Sequence, residues 1–319
     1  MPGPTEGYVI AIWGGVDYLK HAYAVVVTLR RFDTARPVAL YCSPEQAKAV
    51  HDSAASDAFE RIEILPEDAR SIVGFKHQLH RFMPYDRNVY TDSDIVWCRD
   101  PEALWQRFLP YTFTSTGLEK ADLWFGGPKH IGIVADYLLK RRNKTLNHFG
   151  LTHLPRVQSG LMYASDRKVT EEVCLRASGF LARQAETHFR SRLDEAERSE
   201  ETCEWSLAMA MSALDLPVVP WFDGQESPQL DFVPSLTVWD DDFRRVVCRY
   251  YTNASVYALR GLPSDWLMKL AITLVTALPE RGNYISVTPY ILHFGWIRHK
   301  KPFYDFAERN WRTVVRQAR

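Results

Sequence analysis

Apolar residues along this chain fall in short runs divided by clusters of turn-forming residues. Tyr8–Ile12 is one such run and leads into Trp13-Gly14-Gly15; Val38–Cys42 follows Pro37, and Arg61–Leu65 stops at Pro66. Runs this short, bounded by Gly and Pro, predict strands. Between the first two, Tyr18–Arg31 carries its apolar residues on one helical face. Ser43-Pro44-Glu45-Gln46 reads as a helix start, with Ser43 as cap, Pro44 in the first turn and Gln46 placed to reach back to the cap. The β-α-β-α-β order predicts a largely parallel sheet covered by helices. Farther on, Lys76–Met83 is predicted helical, Pro84–Arg87 a turn and Asn88–Thr91 a strand, and Asp100-Pro101-Glu102 opens a helix. Further strands are expected at Tyr111–Ser115, Gly160–Ala164, Val218–Trp221 and Tyr290–Phe294. Further helices are expected at Ile133–Arg142, Arg167–Ala185 and Glu204–Leu214. No repeat and no Gly/Ser- or Pro-rich linker divides the chain, so a single α/β domain over residues 1–319 is expected.

Composition narrows the function classes. Hydrophobic residues make up 46% and charged residues 24%, which excludes wholesale disorder. Lys+Arg and Asp+Glu are equal at 39 each, so the basic surplus of a nucleic-acid coat is missing and no nucleic-acid partner is expected. Five scattered cysteines without a C-x-x-C pair argue against a disulfide scaffold or a structural zinc site. The first residues, Met-Pro-Gly-Pro-Thr-Glu-Gly, lack the regions of a signal peptide. Trp266–Leu278 is too short to span a bilayer and holds Lys269. The expectation is a cytoplasmic protein with no spanning segment, free or peripheral to the inner face of the membrane. Ten Trp in a chain that is 13% aromatic serve either as core filler or as platforms for bases and sugars.

The chemistry-bearing residues lie at strand ends. Asn88–Thr91 runs into Asp92-Ser93-Asp94, two carboxylates on alternate positions just past a buried strand, where ligands bind open α/β sheets. Such a pair can hold one hard divalent cation and leave positions open for diphosphate oxygens. A short acidic pair also arises as a helix cap. Tyr290–Phe294 delivers His293, then Gly295, then Lys300-Lys301-Pro302-Phe303. Imidazole suits a manganese-like ion and a lysine neutralises phosphate, while a capped strand with a solvated basic tail has the same pattern. His77 and His80, spaced for one helix face, read as packed residues, and His130, His148 and His153 as loop residues on the acceptor side or in solvent. Ser191–Glu204 reads as a solvated charged segment, and Asp240-Asp241-Asp242 as a turn rather than a second metal site.

Together the two strand-end segments resemble the GT-A glycosyltransferases, above all the retaining family 8 typified by glycogenin and bacterial lipopolysaccharide galactosyltransferases. Tyr8–Ile12 with Trp13, Gly14, Asp17 and Tyr18 is similar to the family's first strand and uridine loop. Lys76 matches its donor-phosphate base, Gln158-Ser159-Gly160 its Asn-Ser-Gly segment, and Glu204-Trp205 its Asp-Gln pair. His293, Gly295 and Lys300 or Lys301 match its closing histidine and lysine-proline-aromatic motif. Gln158 departs from the usual Asn, Trp205 from the usual Gln, and the His293–Lys301 gap is wider; Phe125-Gly126-Gly127-Pro128 resembles a neighbouring family's glycine pair out of order. The resemblance implies a GT-A fold with a nucleotide-binding half (8–97), an acceptor-side half (98–290) and a closing C-terminal segment (291–319). It implies Mn2+ or Mg2+ on Asp92, Asp94 and His293, a nucleotide-sugar donor such as a UDP-sugar, and a glycan, lipid-linked or protein acceptor. Catalysis would rest on Asp92, Asp94 and Glu204, with retention at the anomeric carbon. Two other classes share the pattern: a HAD-type phosphatase using the D-x-D pair, with Val96 at the compatible position, and a non-catalytic sugar-nucleotide or glycan-binding module.

Overall fold

Strand β1 (Glu6–Ala11) is buried on both faces from Gly7 to Ile10, the pattern of a central strand in a covered sheet. The structure, a computed structural model, describes residues 5–121, 125, 131–194, 199–251, 264–277, 283–295 and 299–317. Helix α1 (Asp17–Leu29) crosses over to β2 (Val38–Cys42), and α2 (Pro44–His51) to β3 (Arg61–Ile64). The Ser43 capping box forms as expected: Gln46 N donates to Ser43 Oγ at 3.2 Å and Ser43 N to Gln46 Oε1 at 3.0 Å. Gln46 Nε2 also donates to the Gly15 carbonyl at 3.0 Å, so the cap holds the loop after β1.

Helix α3 (Ile72–Lys76) precedes β4 (Arg87–Thr91) and β5 (Ile95–Trp97). The helix expected over Lys76–Met83 is displaced: α3 ends at Lys76, and Leu79–Arg81 form a 3-10 turn. Ser71 Oγ accepts from Gly74 N at 2.8 Å and starts the helix early, and the tighter turn lets Phe75, Leu79 and Phe82 all enter one core cluster. Next come α4 (Glu102–Phe108), β6 (Phe113–Leu118), α5 (Ile131–Leu138), α6 (Arg141–Phe149) and β7 (Arg156–Ala164). The single helix expected over Ile133–Arg142 is two, because Lys140 between them adopts φ +49. Helix α7 (Arg167–Ala182), capped by Asp166, and α8 (Glu204–Ala213) lead to β8 (Val219–Pro220).

The seven-stranded sheet runs β3-β2-β1-β4-β7-β6-β8 and is mostly parallel; β7 alone opposes its neighbours β4 and β6. Strand β9 (Gln229–Asp231) belongs to a small sheet ordered β5-β13-β9, where β13 is Ile291–His293. Strands β10 (Thr237–Trp239), β11 (Val246–Tyr251) and β12 (Tyr284–Val287) form an antiparallel sheet beside it. The Asp240 carboxylate accepts from the backbone of Asp242, Arg244 and Arg245, as a turn requires, and is not offered to a cation. The C-terminal helix Lys301–Gln317 docks on α1, burying Phe303 and Phe306 and setting Trp311 edge-on to Tyr23. Among the described residues no helix is long and apolar enough to cross a membrane.

Trp97, Trp105 and Trp205 are fully buried, so part of the aromatic content is core. One buried histidine, His77, and one half-buried, His188, make that region sensitive to acid. His77 pairs with Ser206 Oγ at 2.9 Å and His188 with Thr145 Oγ1 at 2.9 Å, and burial pushes each imidazole down to about 4. The unfolded chain binds those protons below the ordinary value of 6.5, and the folded chain only near 4. Stability should therefore be complete above pH 6.5 and fall as pH drops toward 4. Urea midpoints measured across that window check this, and His77→Gln should flatten the slope; an unchanged slope counts against neutral burial.

Candidate active site

Four side chains from three strand ends meet because of long-range pairing. Asp92 follows β4, and its N–H donates to the Gly160 carbonyl on β7 at 3.1 Å. The chain then turns through Asp94 into β5, whose Ile95 pairs with His293 on β13. Phe294 N donates to Asp94 O at 2.8 Å and locks that register. On its other edge β13 pairs with β9, setting His293 beside Asp231. His293 Nε2 lies 3.6 Å from Asp92 Oδ2 and 3.4 Å from Asp94 Oδ1, while Nδ1 lies 2.9 Å from Asp231 Oδ1. Gln158 Nε2 hydrogen-bonds the same Asp231 oxygen.

Two lysines face the carboxylates. Lys76 Nζ is 2.6 Å from Asp92 Oδ1 and donates to Ser159 O at 2.9 Å and Ser159 Oγ at 3.0 Å. Lys300 Nζ donates to Asp94 Oδ2 at 2.6 Å. Burial acts against the charges of Lys76, Lys300, Asp94 and His293, and their partners outweigh it. Lys76 is raised by Asp92 and Lys300 by Asp94, and the Asp94 carboxyl is held far below its usual range by His293 and Lys300. His293, pushed down by burial but flanked by Asp94 and Asp231, rises to about 10.

Ligand atoms of Asp92, Asp94 and His293 lie within 4.8 Å of one another. Two carboxylates and one imidazole suit a divalent cation of the Mg2+ or Mn2+ kind, and Asp231 on Nδ1 leaves Nε2 facing the carboxylates. The residues present therefore fit such an ion.

The group opens on a cleft of about 630 Å³, the size of a small-molecule site. Of the residues singled out in the sequence, Trp13, Tyr18, Lys76, Gln158, Ser159, Glu204, Gly295 and Lys300 line it with Asp92, Asp94 and His293. Glu204 opens α8, and its carboxylate, 3.5 Å from Ser159 N, is raised by burial against the pull of Lys76. Lys301 does not join them: its ammonium meets Asp305 at 2.5 Å and is exposed, so the lysine on the cleft is Lys300. Nor does Asp17, an exposed partner of Lys20 at 2.8 Å. Gly14, exposed at φ +82, is not among the residues lining the cleft, and Gly160 works by lacking a side chain, since a Cβ there would lie 2.6 Å from Gln229 Nε2 and 3.4 Å from His293 Cδ2. Trp205 is core, stacked on Phe189 at 4.8 Å, so no side chain from that position reaches the cleft.

His77 is packed, His148 pairs with Glu186 at 2.8 Å, and His153 lies beside Thr152. Gly126, Gly127, Pro128 and His130 lie outside the described residues. Sequence reasoning missed Asp231, Arg156, Trp221, His21, Tyr304 and Glu200, all on the cleft. None of them carries a local signal: Asp231 follows Ser227-Pro228-Gln229-Leu230, which is no apolar run. Glu200 accepts from Trp13 Nε1 at 3.0 Å and from Ile72 N at 2.6 Å, so the charged segment expected to be solvated ties down the loop after β1.

No protein-family model matches this sequence, and no curated protein sequence matches it. Solved structures do. The chain is similar to galactosyltransferase LgtC, crystallised with donor and acceptor sugar analogs, at 10% identity and TM-score 0.51, over 97% of this chain and 99% of that one. It is also similar to the glycosyltransferase GlyE of Streptococcus pneumoniae TIGR4 at 12% identity and TM-score 0.50, over 98% of this chain and 63% of that one. At such identities the likeness is one of fold. The sheet order, its flanking helices and these neighbours together give the chain a GT-A, Rossmann-like fold.

Proposed function

We propose that this protein is a metal-dependent glycosyltransferase that moves a sugar from a nucleoside diphosphate, UDP in the first place, to an acceptor hydroxyl. The observation that carries the reading is the Asp92, Asp94 and His293 triad at the mouth of a cleft flanked by Lys76 and Lys300. Carboxylates ringed by fixed cations at the sheet's carboxyl edge suit a diphosphate leaving group. The fold shared with LgtC and GlyE supports it.

When bound by Asp92, Asp94 and His293, a divalent ion supplies Lewis-acid stabilisation of the departing diphosphate. The chain's own residues do the rest. Lys76 is held by Ser159 at the floor of the site, where its ammonium can meet a phosphate oxygen without moving far. Lys300 sits at the rim between Asp94 and Tyr304, which stacks on His21 at 4.9 Å. Trp13 and Tyr18 form the wall beside β1 and offer faces to the base. Asp231 holds His293 by Nδ1 as a positioning residue. The transition state gathers positive charge on the sugar, which Glu204 and Asp231 stabilise from the cleft wall. With Trp205 buried and Glu204 the only residue of its pair on the cleft, a front-face displacement with retention is the mechanism favoured.

Isothermal titration with UDP, with and without Mn2+, tests the reading. Manganese-enhanced UDP affinity is expected, followed by slow hydrolysis of a UDP-sugar. Metal-independent binding without turnover would leave a binding module. Absent UDP binding would remove the proposal. The HAD-type alternative wants its nucleophile after the first strand, whereas Asp92 follows β4 and is ion-paired to Lys76.

The two lysines should separate cleanly. Lys300→Ala is expected to weaken UDP binding about tenfold, the order of one charge-assisted contact. Lys301→Ala should leave it within twofold, roughly the limit for an exposed ion pair. Titration of both variants in the presence of Mn2+ checks this, and equal effects would contradict the assignment.

A further inference from the structure

Helices α5 and α6 meet at a corner made by Lys140, a non-glycine residue held at φ +49 in the left-handed region. The residues just before it are Tyr137, Leu138 and Leu139, three consecutive apolar side chains that are 65%, 71% and 49% exposed. An unbroken exposed apolar run costs solubility, and folded proteins keep one where it serves a contact. The corner is anchored from below. Thr145 of α6 is buried and bonded to His188, and Leu146 and Phe149 pack against the core cluster that holds Phe75 and Leu79. Arg142 Nη1 donates to Ala121 O at 2.8 Å. Directly after the apolar tip come Lys140, Arg141, Arg142 and Lys144, four cations with no acidic residue among them, in a chain whose charges sum to zero. Arg141 is paired with Asp136 at 3.1 Å. The Lys140 and Lys144 side chains are exposed and meet no carboxylate among the described residues.

We propose that this corner docks on the anionic surface of a lipid bilayer, with Tyr137, Leu138 and Leu139 entering the headgroup layer and Lys140 and Lys144 against the lipid phosphates. The inference does not rest on the transferase reading. An apolar tip with a basic collar singles out this partner. Apolar side chains gain by leaving water for the acyl boundary, and each cation near a negative leaflet adds an attraction of its own. Lysine stems lie along the apolar layer while the ammonium stays at the level of the phosphates. A second copy of the chain fits less well, because two such corners face to face set cation against cation. A nucleic acid would use the cations and leave the leucines in water. Position agrees with the proposal. Strands β4 and β6 both run antiparallel to β7, so β6 ends at Leu118 on the sheet edge that carries Asp92. Ala121, just beyond it, accepts the bond from Arg142, which ties the corner to the edge where the cleft opens.

Co-sedimentation of the full chain with phosphatidylcholine vesicles, with and without phosphatidylglycerol, tests this. Partitioning is expected to rise at least about tenfold with the anionic lipid at low salt, and to fall as added salt screens the lysines. Leu138→Gln combined with Leu139→Gln should weaken binding to anionic vesicles by about tenfold or more. Lys140→Asn combined with Lys144→Gln should erase the preference for phosphatidylglycerol, asparagine being tolerant of left-handed backbone. All four positions are exposed, so both variants should keep the wild-type circular dichroism spectrum and UDP affinity. No sedimentation with anionic vesicles overturns the proposal, as does equal partitioning onto both lipids or anionic binding that neither variant changes. A loss in the lysine variant alone overturns it too, since cations gathered for a polyanion need no apolar insertion. Sedimentation velocity without lipid covers the remaining case: a wild-type dimer that the leucine variant turns into a monomer would make the corner an interface between copies instead. Absent UDP binding would sink the transferase reading and leave the vesicle result standing.

Discussion

Asp94→Ala should lower sugar transfer and donor hydrolysis by at least about 10²–10³, the usual loss on removing an oriented group that stabilises developing charge. The carboxylate is placed for that work. Burial raises its proton affinity, yet His293 and Lys300 keep it ionised far below its usual range. Its position between β4 and β5 also matters. The backbone carbonyl of Asp94, not its side chain, accepts from Phe294 N, so the join between β5 and β13 survives truncation. Far-ultraviolet circular dichroism should therefore match the wild type, while manganese no longer strengthens UDP binding. Removing this carboxylate takes the ion-pair partner from Lys300 and one of the carboxylates facing His293, so a modest drop in thermal midpoint is expected alongside. Near-wild-type turnover in saturating manganese would sink the metal role of this residue.

His293→Ala is the second large expectation. Losing one of three ligands should weaken Mn2+ affinity by two orders of magnitude or more, with activity recovering partly at high metal concentration. Asp231→Asn should act in the same direction and more weakly, by about 10–100-fold, because it alters the partner of Nδ1 and leaves Nε2 in place. Titration of Mn2+ into each protein measures both. The graded pair separates a ligand and its positioning residue from a histidine packed at a strand end. In the packed case His293→Ala would lower stability with metal affinity unchanged, and Asp231→Asn would do neither. Gly160 and Gly295 make the same neighbourhood intolerant of bulk, since a Cβ at Gly295 would come within 2.6 Å of His293 Cε1.

Local pattern was enough for much of this protein. The runs at Val38–Cys42 and Arg61–Leu65, the Ser43 cap and the helix from Arg167 are decided by neighbours in sequence, and the structure has them within a residue or a few. Asp92 and Asp94 were legible because they follow an apolar strand and His293 because it ends one, and a strand's end is where a sheet presents polar groups. Tertiary structure alone decided the rest. Strand β9 is three residues long and carries no period of its own; it exists because β13 offers it an edge, and only that register sets Asp231 on His293. Lys300 and Lys301 are adjacent and chemically identical, so no sequence pattern distinguishes them. The start of the C-terminal helix turns Lys301 toward Asp305 and leaves Lys300 on Asp94. Trp205 and Trp221 are the same residue type, one stacked in the core and one on the wall of the cleft. Propensity and periodicity act over a few residues, whereas a site is made by strands far apart in the chain, and their register is set only when the sheets close.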